Sequence, residues 1–216
     1  MVSKVSLFDA DCRRCPRLAN FLDEVGKKYP DYYAAPVASF GDDDPGLLIV
    51  GLAPGMHGAN ATGRPFTGDH AGIMLYKTLY KYGFSSAPES SSMDDGLLLL
   101  NCRITNAVKC LPPQNKPETA EIKRCNPFLT EELRVLNEGS VVVVLGTIAH
   151  AAVLRALDLK LTACKFGHGV EHGLPGGLWM IDSYHCSRYN TQTKRLTEPM
   201  FQAIFARAKE RIAQAD

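Results

Sequence analysis

Four cysteines stand where thiolate chemistry is available. Cys12 and Cys15 form a Cys-x2-Cys pair near the N-terminus, and Cys110 and Cys125 follow downstream as Cys-x14-Cys. One close pair plus two single thiols is enough for a tetrahedral sulfur site that holds a metal ion or a cluster. A zinc ribbon more often carries two Cys-x2-Cys knuckles. A thioredoxin-type pair follows a strand, and no strand is evident before Cys12. Spacing alone also allows a plainer reading, in which Cys110 and Cys125 are buried thiols. Cys102, Cys164 and Cys186 lie in or beside strands and loops and read as core. The total of seven cysteines is odd, and the first residues have neither an apolar h-region nor a cleavage site. A reducing cytoplasm is therefore expected, without a disulfide framework.

Three loops carry the other chemistry. GLAPGMHGANATGRPFTGDHAG (51–72) has glycines that let backbone approach a ligand closely. It lacks the Gly-Lys-Ser/Thr ending of a P-loop, and it is not a GxGxxG fingerprint. Phe66 in this loop suits stacking on a planar base. Asp69 is either a site carboxylate or the N-cap of the helix that follows. His57, Asn60 and Arg64 are either site groups or loop surface. Asn106 sits just past an apolar run, where an amide reads the donor and acceptor edge of a pyrimidine or simply forms a turn. His185, in Ser-Tyr-His-Cys-Ser, is a donor for an oxyanion or a satisfied loop histidine. The RYNTQTKRLT segment after it is rich in hydroxyls, amides and cations, which suits phosphate contacts.

Alternating apolar runs position these loops. Strands are predicted at 47–51, 97–101, 141–146 and 178–183, with 104–110 leading into a loop. Helices are predicted at 12–29, 69–82, 118–137, 147–157 and 198–213, with Pro127 as a kink or restart. LPPQNKP (111–117) cannot be helical, and 183–197 reads as a polar loop. Alternating strands and helices imply a mainly parallel sheet covered on both faces, with the ligand crevice beyond the carboxyl ends of its strands. The length, 216 residues, suits one domain over 1–216. A 45% hydrophobic share excludes wholesale disorder, and no apolar stretch is long enough for a bilayer.

The net charge of +1 argues against a strongly basic nucleic-acid binder. That sum averages over faces. Residues 185–211 carry six basic and two acidic side chains, 6 − 2 = +4, and residues 101–125 carry five and two, 5 − 2 = +3. Acids at Asp31, Asp42–Asp44, Glu89, Asp94 and Asp95 offset them in other loops. The surface is expected to be dipolar, with DNA binding that weakens as salt rises.

Taken together, GLAPG-x-HGANATGRPFTGD, TNAVKCLPPQNKP and SYHCSRYNTQTKRLT resemble the uracil-DNA glycosylase superfamily. The nearest branch is family 5 (type B), the iron–sulfur enzymes of bacteria and archaea, and the likeness runs from Cys12 to about Met200. It implies an α/β fold, a three-layer α/β/α arrangement around a central four-stranded, mainly parallel sheet. It implies that Cys12, Cys15, Cys110 and Cys125 hold a structural [4Fe–4S] cluster. Phe66 would stack on the flipped base and Asn106 would read its edge, with Gly51, His57 and Asn60 in the same base pocket. His185 would donate to uracil O2. Leu52, Ala53 and Pro54 offer no group to activate water, so Asp69 takes that part. Ser187, Arg188, Tyr189, Asn190 and Thr191 would contact DNA in the minor groove. The chain departs from the pattern at Cys186, where proline is usual, and at Gly55, where alanine is common.

The activity implied is monofunctional hydrolysis of the N-glycosidic bond of uracil in DNA, extending to hypoxanthine and other deaminated or damaged bases. A prokaryotic, cytoplasmic monomer acting on double-stranded and single-stranded DNA is expected, with no membrane association. Two other classes stay open on the residues alone: a non-catalytic iron–sulfur or zinc nucleic-acid-binding module, and a small-molecule enzyme of the nucleotide-binding α/β type. The missing phosphate fingerprint counts against the second.

Overall fold

The computed structural model describes residues 8–215. Residues 1–7, on which the reading of a leaderless N-terminus partly rests, lie outside the described residues.

The sheet has six strands: β1 (Phe40–Gly41), β2 (Leu47–Gly51), β3 (Cys102–Asn106), β4 (Val141–Leu145), β5 (Glu171–Gly173) and β6 (Trp179–Ser183). Their order is β1-β3-β2-β4-β6-β5. The four longer strands run parallel, with Leu47 opposite both Cys102 and Val141, and Val141 opposite Trp179. The expected four-stranded sheet is thus corrected to six. Two short antiparallel strands, β1 on β3 and β5 on β6, cover the edges. Neither has the run of β-branched residues by which a strand is found in a sequence.

The second strand of the sequence reading is also displaced. Leu97 to Leu100 form no strand, and pairing begins at Cys102. Leu97 and Leu99 are buried while Leu98 and Leu100 face outward, and Asn101 is left-handed (φ 49°). The four leucines are a lead-in that tucks alternate side chains under the sheet. An apolar run announces burial without saying where a ladder starts.

Among the described residues seven helices complete the fold: α1 (Pro16–Lys28), α2 (Ala59–Thr62), α3 (His70–Tyr82), α4 (Thr119–Arg134), α5 (Thr147–Ala156), α6 (Arg188–Gln192) and α7 (Glu198–Ala213). Local chemistry starts several of them. Pro16 opens α1, Glu118 and Glu121 form a capping box on α4, and the Thr197 side chain accepts from Met200 N on α7. α4 runs through Pro127 without interruption, and 113–115 form a single 3-10 turn. α6 interrupts the segment expected to be loop. It is one short turn with no apolar face, so periodicity could not reveal it.

The alternation of the strands sorts the core into two clusters. Leu48, Val50, Val142, Val144 and Met180 pack on one face against α1, α4 and α5. Leu47, Ile49, Val141, Val143 and Ile181 pack on the other against α3 and α7. The three-layer expectation holds, and the carboxyl ends of β2, β3, β4 and β6 are left to carry the site.

Candidate active site

A cleft of about 660 Å³ opens at those carboxyl ends. The loop after β2 lines it with Leu52, Ala53, Met56, His57 and Phe66. Asp69 and His70 enter from the start of α3, Asn106 from the end of β3, and His185, Ser187 and Arg188 from beyond β6. Gly146, Thr147 and Ile148 after β4 also line it, as does Asn115. The sequence reading had followed the loops after three strands and passed over the fourth. The rule that the crevice lies beyond the strand ends applies equally to VVVVLG.

Asp69 both caps a helix and lines the cleft. Its Oδ1 caps α3 by accepting from Gly72 N at 2.8 Å. Its Oδ2 faces the loop across the cleft, where a Cβ placed on Gly58 would lie 2.8 Å away. Only a glycine there leaves the second oxygen uncovered. Among the described residues Asp69 is the sole acidic side chain lining the cleft.

Gly51 and Asn106 are opposite one another across β2 and β3. A Cβ on Gly51 would sit 2.3 Å from Asn106 Oδ1 and 2.7 Å from Phe66 Cζ. The bare glycine lets the amide and the ring meet at the floor of the cleft. Asn106 is 3% exposed and its Oδ1 has no hydrogen-bond partner. An orphaned buried acceptor is costly unless something supplies a donor. The Gly51→Ala substitution is expected to lower stability by about 1–3 kcal/mol by overpacking, and to displace both side chains. Urea unfolding and base-release rates measure the two effects separately.

Phe66 is held at φ 55°, a conformation an L-residue adopts only when its surroundings impose it. Tyr76 Oη donates to Pro65 O at 2.9 Å. Arg64, left open in the sequence as site or surface, is buried: it pairs with Asp95 at 2.6 Å, donates to Ser90 Oγ and Met93 O, and lies over the Phe40 ring. It clamps the loop that presents Phe66. Burial opposes ionisation of Asp95, yet Arg64 and three backbone N–H groups hold that carboxyl well below the usual range.

The His185 ring lies 6.1 Å from Phe66, centroid to centroid, at 27°. Burial holds its imidazole below the ordinary value, while the nearby Asp69 charge pulls the other way. Its Nδ1 is buried without a partner. The shift favours the neutral ring at pH 7 and moves its protonation to more acid pH than that of an ordinary histidine. The single-turnover rate is expected to show no break near pH 6.5, with any His185 limb displaced to more acid pH. A break at 6.5 that vanishes in a His185 variant would contradict the shift. By the same sign, the neutral ring's contribution to stability is complete above pH 6.5 and is lost as pH falls toward the lowered value.

Other expected residues are placed less directly. Asn60 does not line the cleft: α2 turns it inward, fully buried, with neither amide atom partnered. His57 is on the rim, where Tyr32 Oη meets its Nδ1 at 2.7 Å. Ser187 caps α6, and Asn190 Nδ2 donates to His185 O at 2.8 Å, so Asn190 braces the histidine. Thr191 Oγ1 meets His70 Nε2 at 2.9 Å, tying α6 to α3. Tyr189 projects outward, 71% exposed. Cys186 is fully buried beside Leu196 and Phe201, and its thiol is pushed far up by burial. It packs as a small apolar group, without reactive character.

The profile of the uracil DNA glycosylase superfamily matches residues 38–209. The chain belongs to that superfamily. It is 47% identical over 203 residues to a type-5 uracil-DNA glycosylase of Thermus thermophilus, covering 92% of each chain. It is 42% identical to a type-5 enzyme of Mycobacterium leprae, over 92% of this chain and 90% of that one. A type-4 uracil-DNA glycosylase of Thermotoga maritima is 29% identical over 70% of this chain and 69% of its own.

The superfamily match begins after Cys12 and Cys15, yet the fold brings all four spaced cysteines together in this glycosylase. They line one small cavity with Leu18, Pro36, Val108 and Phe128. Cys15 is the N-cap residue of α1, and Cys125 lies on α4. Burial and repulsion from the other three thiols push Cys110 up to about 12. Burial also raises Cys125, to about 11, against the Lys109 N–H that donates to its sulfur at 3.3 Å. Arg14, Lys109 and Arg124 also line the hollow, and the charges of Lys109 and Arg124 oppose the effect of burial at Cys125 and Cys15.

Proposed function

We propose that this glycosylase hydrolyses the N-glycosidic bond of uracil in DNA, as the first step of base-excision repair, acting as a single-domain monomer over 1–216. One observation carries the reading. The cleft gathers a single carboxylate, a neutral histidine, an orphaned amide oxygen and an aromatic wall.

Departure of the base generates an oxocarbenium-like sugar and a uracil anion. Phe66 offers the stacking face for the flipped base. Asn106 Oδ1 accepts from the N3–H of uracil, which would satisfy the orphaned atom. His185, neutral, donates to O2 as charge develops there, in a site that needs no reorganisation. Asp69 Oδ2 orients the attacking water and stabilises the sugar cation, since Leu52 and Ala53 offer only apolar surface. Among the described residues no lysine lines the cleft, which supports hydrolysis without strand cleavage. Hypoxanthine presents a lactam N–H beside a carbonyl, as uracil does, and a cleft of this volume suits that purine as well.

On DNA, Ser187 and Arg188 at the cleft and Tyr189 on the exposed face of α6 are the contacts, with Thr191 and Asn190 bracing the turn. Among the described residues Arg188, Lys194 and Lys116 have no carboxylate partner, whereas Arg207 and Arg211 are paired with Glu171. Of these, Arg188 lines the cleft itself. The free cysteines and the bacterial relatives suit a reducing prokaryotic cytoplasm, and no described helix is long and apolar enough to cross a membrane.

Cys12, Cys15, Cys110 and Cys125 are proposed to hold a [4Fe–4S] cluster. All four line one small cavity, the gathering of thiolates that such a cluster takes. The N–H donated to Cys125 is the kind of bond that supports a ligating thiolate. When bound, the cluster supplies structure, joining α1, α4 and the loop after β3. The Cys110→Ser protein is expected to lose the visible sulfur-to-iron absorbance, and iron analysis should fall from about four per chain. A colourless wild type prepared without oxygen would contradict the assignment.

A panel of duplexes carrying one uracil, hypoxanthine or undamaged base, run beside free deoxyuridine, tests substrate class. Release from uracil duplexes with none from the nucleoside is expected. Release from the nucleoside alone would make the protein a small-molecule enzyme.

A further inference from the structure

We propose that His150, His172 and Asp182 form a second metal site, apart from the cleft and the four cysteines, for a divalent first-row ion of the zinc class. The three side chains come from α5, β5 and β6, and their ligand atoms all lie within 4.8 Å of one another. Among the described residues no other group of three such donors comes so close. Side-chain exposures are 6%, 11% and 0%.

The hydrogen bonding leaves one positive charge to be supplied. His150 Nε2 lies 3.1 Å from Cys164 O, an atom that can only accept. That bond puts the ring N–H on Nε2 and leaves Nδ1 of a neutral imidazole as a lone pair. Nδ1 faces Asp182 Oδ1 at 2.7 Å. Two acceptors at that distance need a cation between them, either a second proton on the ring or a metal ion. Donating the outer nitrogen to a backbone carbonyl is how ligating histidines are held in orientation. The other Asp182 oxygen receives Gly167 N–H at 3.0 Å and faces His172 Nε2 at 3.1 Å.

The donor set selects the ion. Two imidazoles and one carboxylate suit zinc, cobalt or nickel rather than magnesium or calcium. Ligand atoms at about 2.0–2.1 Å from a tetrahedral zinc stand about 3.3 Å apart. The His172 contact is already close to that, and the His150 contact opens by about 0.6 Å. Cys164, whose carbonyl already holds His150, or a water is available for the fourth position. His172 lies on the edge strand and is partly exposed, which gives an ion a way in. A bound ion would tie α5 and β5 to β6, three residues before His185, so its part would be structural and independent of the glycosylase reading.

The test uses the cluster-loaded protein, treated with EDTA, supplied with Zn²⁺ and gel-filtered before metal analysis. One zinc per chain is expected in wild type and none in His172→Gln, each retaining its iron and its circular dichroism. X-ray absorption at the zinc edge of wild type should give a nitrogen and oxygen shell with at most one sulfur, a readout that does not depend on the variant folding. Wild type that retains no zinc would overturn the proposal, and the pair is then bridged by a proton. So would equal retention by the variant, or a four-sulfur shell.

Discussion

Replacing Asp69 by Asn should lower the single-turnover rate of uracil release by about 100- to 10,000-fold, the range for loss of a positioned acid–base group, with the melting temperature close to wild type. The choice of Asn separates the two jobs of this side chain. Asn and Asp are comparable N-caps, and Oδ1 of Asp69 caps α3 through Gly72 N. The amide keeps that bond while removing the charge that faces the cleft. Replacement by Ala removes both and should add about 1 kcal/mol of destabilisation from the lost cap. Chemical denaturation and quenched-flow excision distinguish the variants. If Asp69→Asn excises at the wild-type rate, Asp69 is only a cap and the water is activated elsewhere.

Replacing His185 by Ala should cost about 100- to 1000-fold in the same rate, the effect of removing one preorganised donor to a developing oxyanion. Affinity for uracil-containing duplex should change far less, because the bond strengthens only as charge develops on the base. The loss should shrink for 5-fluorouracil, whose anion leaves with less help. Equal losses on both bases would make the histidine a packing element. Asn190 makes a useful comparison. It holds the His185 carbonyl from α6, so its replacement should produce a smaller effect of the same kind.

Much of this architecture was legible because the central strands are apolar on both faces. LLIVG and VVVVL read as buried parallel strands, and the loop after the first is legible as part of the rim. The amphipathic C-terminal helix was equally clear and its bounds were correct. The edges of the sheet were hidden, because Phe40–Gly41 and Glu171–Gly173 are too short to show a period. The start of β3 was misread because Leu97–Leu100 are apolar for tucking under the sheet, not for pairing.

At the site, Phe66, Asp69, Asn106 and His185 were all brought to one cleft, as the motifs implied. Asn60 and Arg64 show the limit of reading polar loop residues as ligands. Both turn inward, one orphaned and one clamped to Asp95, and sequence position alone does not give that direction. Gly146 and Thr147 were missed because the end of VVVVL was not followed to the rim, and His70 because it reads as the first residue of a helix.

The central claim is that this cleft breaks an N-glycosidic bond in DNA. A duplex carrying one uracil opposite guanine, incubated with the purified protein and then heated in alkali, tests it directly. The abasic site left by base release should give one strand break at the uracil position, and the break should be absent without alkali. An intact strand after alkali, from protein whose circular dichroism is native, would contradict the account. It would leave the chain a nucleic-acid-binding module built on a glycosylase fold.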